Sequence, residues 1–310
     1  MKILLAKPRG LCAGVKRAIN IVELALKKYG APIYVLHELV HNKYIINNLL
    51  KQGVIFIENF SEIPDNSVLI FSAHGVSKSI RQEAYSRNFN VILDATCPLV
   101  KKNHIKVTKA NNKGNEVILI GHHGHPEINS TIGQYNNDKG GIYLIKNIKD
   151  VYNLKVKNIN KLLFITQTTF SIDDASNIIN ELTKSFPNII GQIKSDICYA
   201  TINRQKAIKK IAKKSDLILI VGSKNSSNSN RLLELILKIN KPAYLIDCVN
   251  DINIEWLRNI KIIGLTAGAS VPNILILQIL KKLKKLGVKH VIEMQANDEK
   301  MFFTLPKILK

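Results

Sequence analysis

The chain has 310 residues, of which 46% are hydrophobic, and a formal net charge of +22 at pH 7. This length supports a sizeable core in one large or several small domains. No run of about 18 uncharged apolar residues occurs, so we expect no transmembrane helix. Four cysteines are too few for a disulfide scaffold and indicate a cytoplasmic protein. The basic segments lack interleaved aromatic residues, so we expect no nucleic-acid partner despite the charge.

The first predicted unit, residues 1–97, alternates strands and helices. It opens with a strand over residues 2–6, a glycine-containing loop that holds Cys12, and a helix from Val15 to about Lys28. Further strands are predicted at residues 33–36, 54–57, 68–71 and 91–93. The last of these strands leads directly into Cys97, with Pro98 as a plausible first helical residue.

The same order of elements recurs in a second unit, residues 98–195, and a third, residues 196–286, before a closing strand and tail over residues 287–310. An interval of 85 residues separates Cys12 from Cys97, and 101 residues separate Cys97 from Cys198. The loops that open at His37, His122 and Ser223 repeat the same two intervals. The repeat predicts an α/β protein of three pseudo-threefold-related units with parallel-rich sheets. Ligands bind beyond the carboxyl ends of strands in such sheets, which predicts a central site.

Three repeat-equivalent cysteines, Cys12, Cys97 and Cys198, are the candidates for a metal centre. Each precedes a predicted helix, whose N-terminus favours the thiolate form. The chain has no Cys-x-x-Cys pair, which disfavours a zinc ribbon. Converging thiolates suit an iron–sulfur cluster or a zinc ion, and the residues alone leave both open. Cys248 falls in a connector of the repeat and is predicted to be structural.

Polar side chains at other strand ends predict a donor-rich pocket that suits phosphate oxygens. These residues are His41, His74, His125, Ser226, Ser227, Asn228 and Ser270. For residues 226–230 a polar surface turn is the alternative. Glu127 is the lone carboxylate of a histidine- and glycine-rich loop, and fits either a proton donor or a helix cap. Thr168, in a loop of the same unit, fits a group that passes this proton or holds a substrate hydroxyl.

Nine short motifs follow one another in order along the chain. They are RGLCAGV at 9–15, VHN at 40–42, SAHGVS at 72–77, DATCP at 94–98, GHPE at 124–127, TQTT at 166–169, DICYAT at 196–201, NSSNS at 225–229 and TAGAS at 266–270. Each motif alone is weak. Together they closely resemble the 4-hydroxy-3-methylbut-2-enyl diphosphate reductase family over nearly the whole chain.

The resemblance implies a cloverleaf of three α/β units around a [4Fe-4S] cluster, with Cys12, Cys97 and Cys198 as ligands and one iron open. It implies that the diphosphate is contacted by His41, His74, Ser226, Ser227, Asn228 and Ser270. It places His125 near the phosphate and the proton path. It also implies that Glu127 is the proton donor and that Thr168 is its partner at the substrate hydroxyl. The implied reaction removes this hydroxyl as water with two electrons and two protons. Its products are isopentenyl and dimethylallyl diphosphates, and its electron donor is a ferredoxin or flavodoxin.

Overall fold

The structure, a computed structural model, describes residues 1–191, 196–296 and 299–309. In chain order its strands are β1 (Lys2–Leu5), β2 (Ile33–Leu36), β3 (Val54–Ile57), β4 (Val68–Phe71), β5 (Val91–Asp94), β6 (Glu116–Ile120), β7 (Ile142–Ile145), β8 (Leu162–Thr166), β9 (Leu217–Val221), β10 (Ala243–Ile246), β11 (Ile262–Ala267) and β12 (His290–Glu293). Its α-helices in these ranges are α1 (Ala13–Tyr29), α2 (Lys43–Lys51), α3 (Lys78–Ser86), α4 (Pro98–Lys113), α5 (Pro126–Ile132), α6 (Ile148–Tyr152), α7 (Ile172–Ser185), α8 (Tyr199–Ala212), α9 (Ser227–Leu237) and α10 (Asn273–Lys285).

The described strands form three sheets, and all pairings between named strands are parallel. The strand orders are β10–β9–β11–β1–β12, β3–β2–β4–β5 and β7–β6–β8. Parallel neighbours require long crossover connections, which the intervening helices supply. The predicted α/β class with parallel sheets is therefore confirmed. No helix in the described part of the chain combines the length and apolar character needed to cross a membrane.

The five-stranded sheet belongs to one compact unit, which comprises Met1–Val15, His41–Asn47 and Tyr199–Phe302. Strand β1 lies in this sheet between β11 and β12, with Ile3 opposite Ile263 on one side and Val291 on the other. The predicted boundaries place β1 in the first unit by chain order. The structure instead places it with the strands of the third, because an interior parallel strand is covered on both faces and needs a continuous apolar run. That run consists of Ile3, Leu4 and Leu5, which are all buried.

The other two sheets belong to a second compact unit, which comprises Lys16–Val40, Asn48–Cys198 and Phe303–Lys310 within its described residues. Buried apolar side chains of β4 and β6, including Leu69, Phe71 and Leu119, pack into separate cores. The unit boundaries at residues 97 and 286 remain predictions. The predicted boundary at residue 195 lies outside the described residues.

Most helices begin close to their predicted positions, and α7 is an exception. Its start is predicted at about Ser176, whereas the structure begins it at Ile172. The hydroxyl of Ser171 accepts a hydrogen bond from the backbone N–H of Asp174 at 3.3 Å, which caps the earlier turn. The cap adds a turn at the N-terminus of this helix, directly after the loop that contains Thr168.

Candidate active site

The three predicted cysteine ligands are held by one repeated backbone contact. The N–H groups of Cys12, Cys97 and Cys198 donate to the carbonyl oxygens of Ala269, Ala73 and Thr168, each at 3.0 Å. These three carbonyls lie in the loops that follow β11, β4 and β8. Each cysteine loop is therefore tied to the carboxyl end of a parallel sheet, where ligands bind in α/β folds.

The cysteines also share a place at the start of a helix. Cys97 is the N-cap of α4, with Pro98 as its first residue, and Cys12 and Cys198 directly precede α1 and α8. The backbone N–H of Val15 points at the sulfur of Cys12, 3.5 Å away. All three are half-buried thiols rather than disulfides. Helix N-termini and N–H···S contacts stabilise thiolates, so these residues fit the thiolate ligands of an iron–sulfur cluster.

No three His, Cys, Asp or Glu side chains among the described residues are grouped closely enough to hold a single metal ion. Cysteines that hold an iron–sulfur cluster each bind a different iron, so they lie farther apart than the ligands of one ion.

Glu127 is a buried carboxyl group in the first turn of α5. It accepts hydrogen bonds from the backbone N–H and from the hydroxyl of Thr168, both at 2.7 Å. Burial raises the pKa of Glu127, and this effect outweighs the two hydrogen bonds, which lower it. The arrangement places a carboxyl group with a raised pKa beside a hydroxyl group.

Thr168 connects this acid to a cysteine. Its side chain and N–H bind Glu127, and its carbonyl oxygen accepts the hydrogen bond from the N–H of Cys198. The structure therefore brings together three residues that are far apart in the sequence and were all singled out as site residues.

Two of the predicted histidines contact each other, and one of them, His125, also contacts Glu127. His125 is the N-cap of α5, and its Nδ1 accepts a hydrogen bond from the N–H of Glu127 at 3.1 Å. Its ring meets that of His74 edge to face, with centroids 5.7 Å apart. Gly75 follows His74 with φ at +79°, and a Cβ there would lie 2.7 Å from the ring of His104. The turn that presents His74 therefore requires glycine.

His104 and Ser130 support this arrangement, and the sequence analysis did not single them out. The Nε2 atom of buried His104 lies 3.0 Å from the hydroxyl of Ser130, and burial lowers the pKa of His104 to about 4. The same hydroxyl lies 2.8 Å from the carbonyl oxygen of His74 and 2.9 Å from that of Glu127. The one available signal is that Ser130 lies three residues after Glu127, on the same helix face.

The serine and asparagine residues of the other compact unit lie at the start of α9. Ser226 caps the helix, accepting from the N–H of Ser229 at 3.4 Å, and Ser227 is its first, half-buried residue. The Oδ1 atom of Asn228 accepts a hydrogen bond from the N–H of Ala269 at 3.0 Å. Because the carbonyl oxygen of Ala269 accepts from the N–H of Cys12, this one residue joins the Asn228 loop to the Cys12 loop.

His41 and Ser270 complete the predicted set in this unit. The hydroxyl of Ser270 donates to the carbonyl oxygen of His41 at 2.9 Å. The adjacent Asn42 is buried and caps α2, since its Oδ1 accepts from the N–H of Ile45 at 3.1 Å. The structure thus groups His41, Ser270 and the Ser226–Asn228 stretch in the unit that contains Cys12.

A second feature that sequence reasoning missed is a buried arginine beneath the Cys12 loop. Arg204 on α8 is fully buried, and its guanidinium donates to the carbonyl oxygen of Gly10 at 2.6 and 3.2 Å. It also pairs with Glu299 at 3.1 Å. The hydroxyl of Tyr199 accepts from the N–H of Ala13 at 3.1 Å. These contacts hold the loop on both sides of Cys12.

Comparison with known proteins gives consistent matches over the full chain. Residues 3–284 match the family model described as LytB protein. A relative from Baumannia cicadellinicola subsp. Homalodisca coagulata is 60% identical over 309 residues, which cover 100% of this chain and 98% of that protein. A relative from Proteus mirabilis (strain HI4320) is 57% identical over 310 residues, with the same coverage. Both are named 4-hydroxy-3-methylbut-2-enyl diphosphate reductase.

A solved structure shows the same likeness in three dimensions. The structure of the E-1-hydroxy-2-methyl-but-2-enyl-4-diphosphate reductase from Plasmodium falciparum superposes with a TM-score of 0.93 and 38% identity. The match covers 99% of this chain and 96% of the Plasmodium falciparum chain. The resemblance and the fold class that the motifs predict are thereby confirmed.

Proposed function

The chain belongs to the LytB family of 4-hydroxy-3-methylbut-2-enyl diphosphate reductases, and from this premise we propose the reaction that its residues perform. The substrate is (E)-4-hydroxy-3-methylbut-2-enyl diphosphate, and the products are isopentenyl and dimethylallyl diphosphates. The allylic C–O bond breaks, two electrons and one proton pass to the carbon skeleton, and a second proton joins the departing hydroxyl as water. The observation that carries this proposal is the buried, doubly hydrogen-bonded Glu127 beside the Cys198 loop.

Glu127 is the proton donor in this proposal. Burial raises the pKa of its carboxyl group, so the group keeps its proton to a higher pH than an exposed glutamate does. Thr168 holds the carboxyl in place and presents its own hydroxyl where the substrate hydroxyl would bind. The Nδ1 atom of His125 accepts a hydrogen bond from the N–H of Glu127, so a neutral ring carries its proton on Nε2. We assign this Nε2–H group as a donor to a phosphate oxygen or to the path that resupplies Glu127.

The diphosphate is proposed to bind His41, His74 and the residues at the start of α9. The N-terminus of an 11-residue helix attracts anions, and its first backbone N–H groups are donors. Asn228 has a defined orientation, because its Oδ1 is engaged by Ala269 and its Nδ2 lies 3.4 Å from the hydroxyl of Thr201. Its Nδ2 group is therefore fixed in one orientation, from which it can donate a hydrogen bond to the diphosphate. Ser226 and Ser227 add hydroxyl donors, and the hydroxyl of Ser270 would exchange its hydrogen bond to the carbonyl of His41 for one to the diphosphate.

Cys12, Cys97 and Cys198 are the proposed ligands of a [4Fe-4S] cluster. Their repeated backbone contacts, helix N-terminal positions and thiol state support this assignment. When bound, the cluster supplies the two electrons of the reaction one at a time. A ferredoxin or flavodoxin is the proposed external donor, and the cytoplasm is the proposed location, since reduced cysteines persist there.

The test is anaerobic purification followed by metal analysis and turnover. We expect about equal amounts of iron and acid-labile sulfide, and conversion of the allylic diphosphate when reduced methyl viologen supplies the electrons. Zinc in place of iron would overturn the cluster assignment. Iron-loaded protein that does not convert the substrate would overturn the reaction.

A further inference from the structure

A groove of about 540 Å³ runs along one face of α4, directly beside a proposed cluster ligand. Its lining includes Thr96 and Pro98, the residues on either side of Cys97. Its other lining residues are Arg17, Asp94, Lys101, Lys102, Ile105, Lys106, Lys109 and Thr304. The groove lies within one compact unit of the chain.

The groove is strongly basic. Among the described residues that line it, five are cationic and one, Asp94, is acidic. Asp94 is already engaged by Arg81 at 3.0 Å and lies 3.9 Å from Lys101, and Lys106 is paired with buried Asp196. Lys102 and Lys109 lie seven residues apart, which places their exposed side chains on the same face of the helix. The face therefore presents a positive potential to solvent.

The centre of this face is apolar and accessible. Ile105 is 49% exposed and lies between the lysines at helical spacing. Small, transient protein interfaces combine a modest apolar contact with complementary charges around it. A free phosphate would gain nothing from contact with the exposed isoleucine. The combination of lysines with an exposed isoleucine therefore favours a protein partner.

Arg17, which lines the groove, is hydrogen-bonded to the Cys97 loop. Its Nη1 donates to the carbonyl oxygen of Thr96 at 3.2 Å, and its Nε donates to the carbonyl oxygen of Thr304 at 2.8 Å. Arg17 thus binds both Thr96 and Thr304, which line the groove. A partner seated here would contact the residues on either side of Cys97.

We propose that this face of α4 is the docking surface for a small acidic one-electron carrier protein. This inference rests on the proposed function, which consumes two electrons per turnover. In each encounter the carrier is oxidised by one electron, and two encounters complete the reduction. Acidic groups around the carrier's redox centre would meet Lys101, Lys102 and Lys109, and so bring that centre towards Cys97. Electrostatic steering of this kind raises association rates by about tenfold to a thousandfold.

The test compares two electron sources in the anaerobic, cluster-loaded enzyme. The double variant Lys102→Glu with Lys109→Glu is assayed with a reduced acidic flavodoxin and, separately, with reduced methyl viologen. We expect the KM for flavodoxin to rise about tenfold or more at low salt. Turnover with methyl viologen should stay within about twofold, since these exposed lysines are outside the proposed catalytic residues. Raising the ionic strength should reduce the difference in the flavodoxin KM, because salt screens exposed charges over about 10 Å at 0.1 M.

The matched control is Lys281→Glu with Lys284→Glu, an equal change of charge on the exposed face of α10. An equal rise in the flavodoxin KM in both double variants would show a general charge effect and overturn the proposal. Equal loss of the viologen-driven turnover would assign the lysines to the fold or the catalytic site and overturn it as well. Salt-sensitive binding of RNA that depends on the α4 lysines, with an unchanged flavodoxin KM, would identify a nucleic-acid surface instead. Wild-type enzyme that is inactive with methyl viologen would count against the reaction, whichever surface the carrier uses.

Discussion

Thr168 donates two hydrogen bonds to the same carboxyl group, from its N–H to one oxygen of Glu127 and from its hydroxyl to the other, both at 2.7 Å. Because the carbonyl of Thr168 also binds the N–H of Cys198, the acid is fixed relative to a proposed cluster ligand. A helix cap does not need either bond from Thr168. The contact therefore favours proton donation over capping, which the sequence left as alternatives.

The substitution Glu127→Gln tests this role. Glutamine keeps the shape and the position in α5 but carries no transferable acidic proton. We expect turnover with methyl viologen to fall by about a hundredfold to ten-thousandfold, with iron and sulfide content unchanged. A second buried carboxyl, Glu116, gives the matched control, since it binds Tyr143 and the backbone N–H of Asn158 away from Thr168. If Glu116→Gln lowered turnover per iron as much as Glu127→Gln, burial of a carboxyl rather than proton delivery would explain the loss.

The raised pKa of Glu127 predicts a pH dependence of stability. Between the ordinary value of about 4.5 and the raised value in the fold, the folded chain keeps a proton that the unfolded chain has released. The free energy of unfolding therefore falls as pH rises through this window. Glu127→Gln stays neutral, so its free energy of unfolding should lack this fall. Urea unfolding of wild type and variant across the window measures the difference, and parallel pH profiles would contradict the prediction.

Local sequence signals predict local features of this fold well. The cysteines after strands, Pro98 and the recurring intervals predict the strand–loop–helix junctions that the structure shows at Cys12 and Cys97. At Cys198 it shows the predicted start of a helix. They do not predict which strands become neighbours. Strand β1 pairs with β11, about 260 residues later, because burial on both faces of the sheet decides its place.

Local sequence signals also do not predict which residues will support the site through long-range contacts. Arg204 and Glu299 are 95 residues apart in the chain, and a lone arginine in a basic helix is typical of a solvent-exposed face. Only the tertiary fold buries its guanidinium under the Cys12 loop. His104 is another example, since a single histidine on an amphipathic helix gives no indication that it will contact Ser130.

Cysteine substitutions separate ligands from structural thiols. We expect Cys97→Ser to prevent stable cluster assembly, because serine lacks the soft thiolate that iron favours. Cys248 lies before a short 3₁₀ turn, and its N–H donates to Asp251 at 3.0 Å. Cys248→Ser should therefore retain iron, sulfide and the cluster's visible absorption. Loss of the cluster from this control would contradict the assignment of the three repeat-equivalent cysteines as ligands.

Arg204 is expected to act on the cluster through the loop that carries Cys12. Removing its guanidinium in Arg204→Ala leaves the carbonyl of Gly10 and the carboxylate of Glu299 without their shared donor. Breaking a buried pair in this way costs about 3–5 kcal/mol of stability, and the loosened loop should release iron to a chelator faster. Arg204→Lys should recover part of the stability, because one ammonium group can reach one acceptor but cannot bridge both.

The exposed pair Arg258–Glu255 supplies the comparison for this prediction, since its arginine side chain is 74% exposed. Arg258→Ala should change stability by at most about 1 kcal/mol and leave the rate of iron release unchanged. Chelator-driven iron release and urea unfolding under anaerobic conditions measure both quantities. Iron release at the wild-type rate from a folded Arg204→Ala variant would show that the other contacts of the Cys12 loop, including that of its N–H with Ala269, are sufficient.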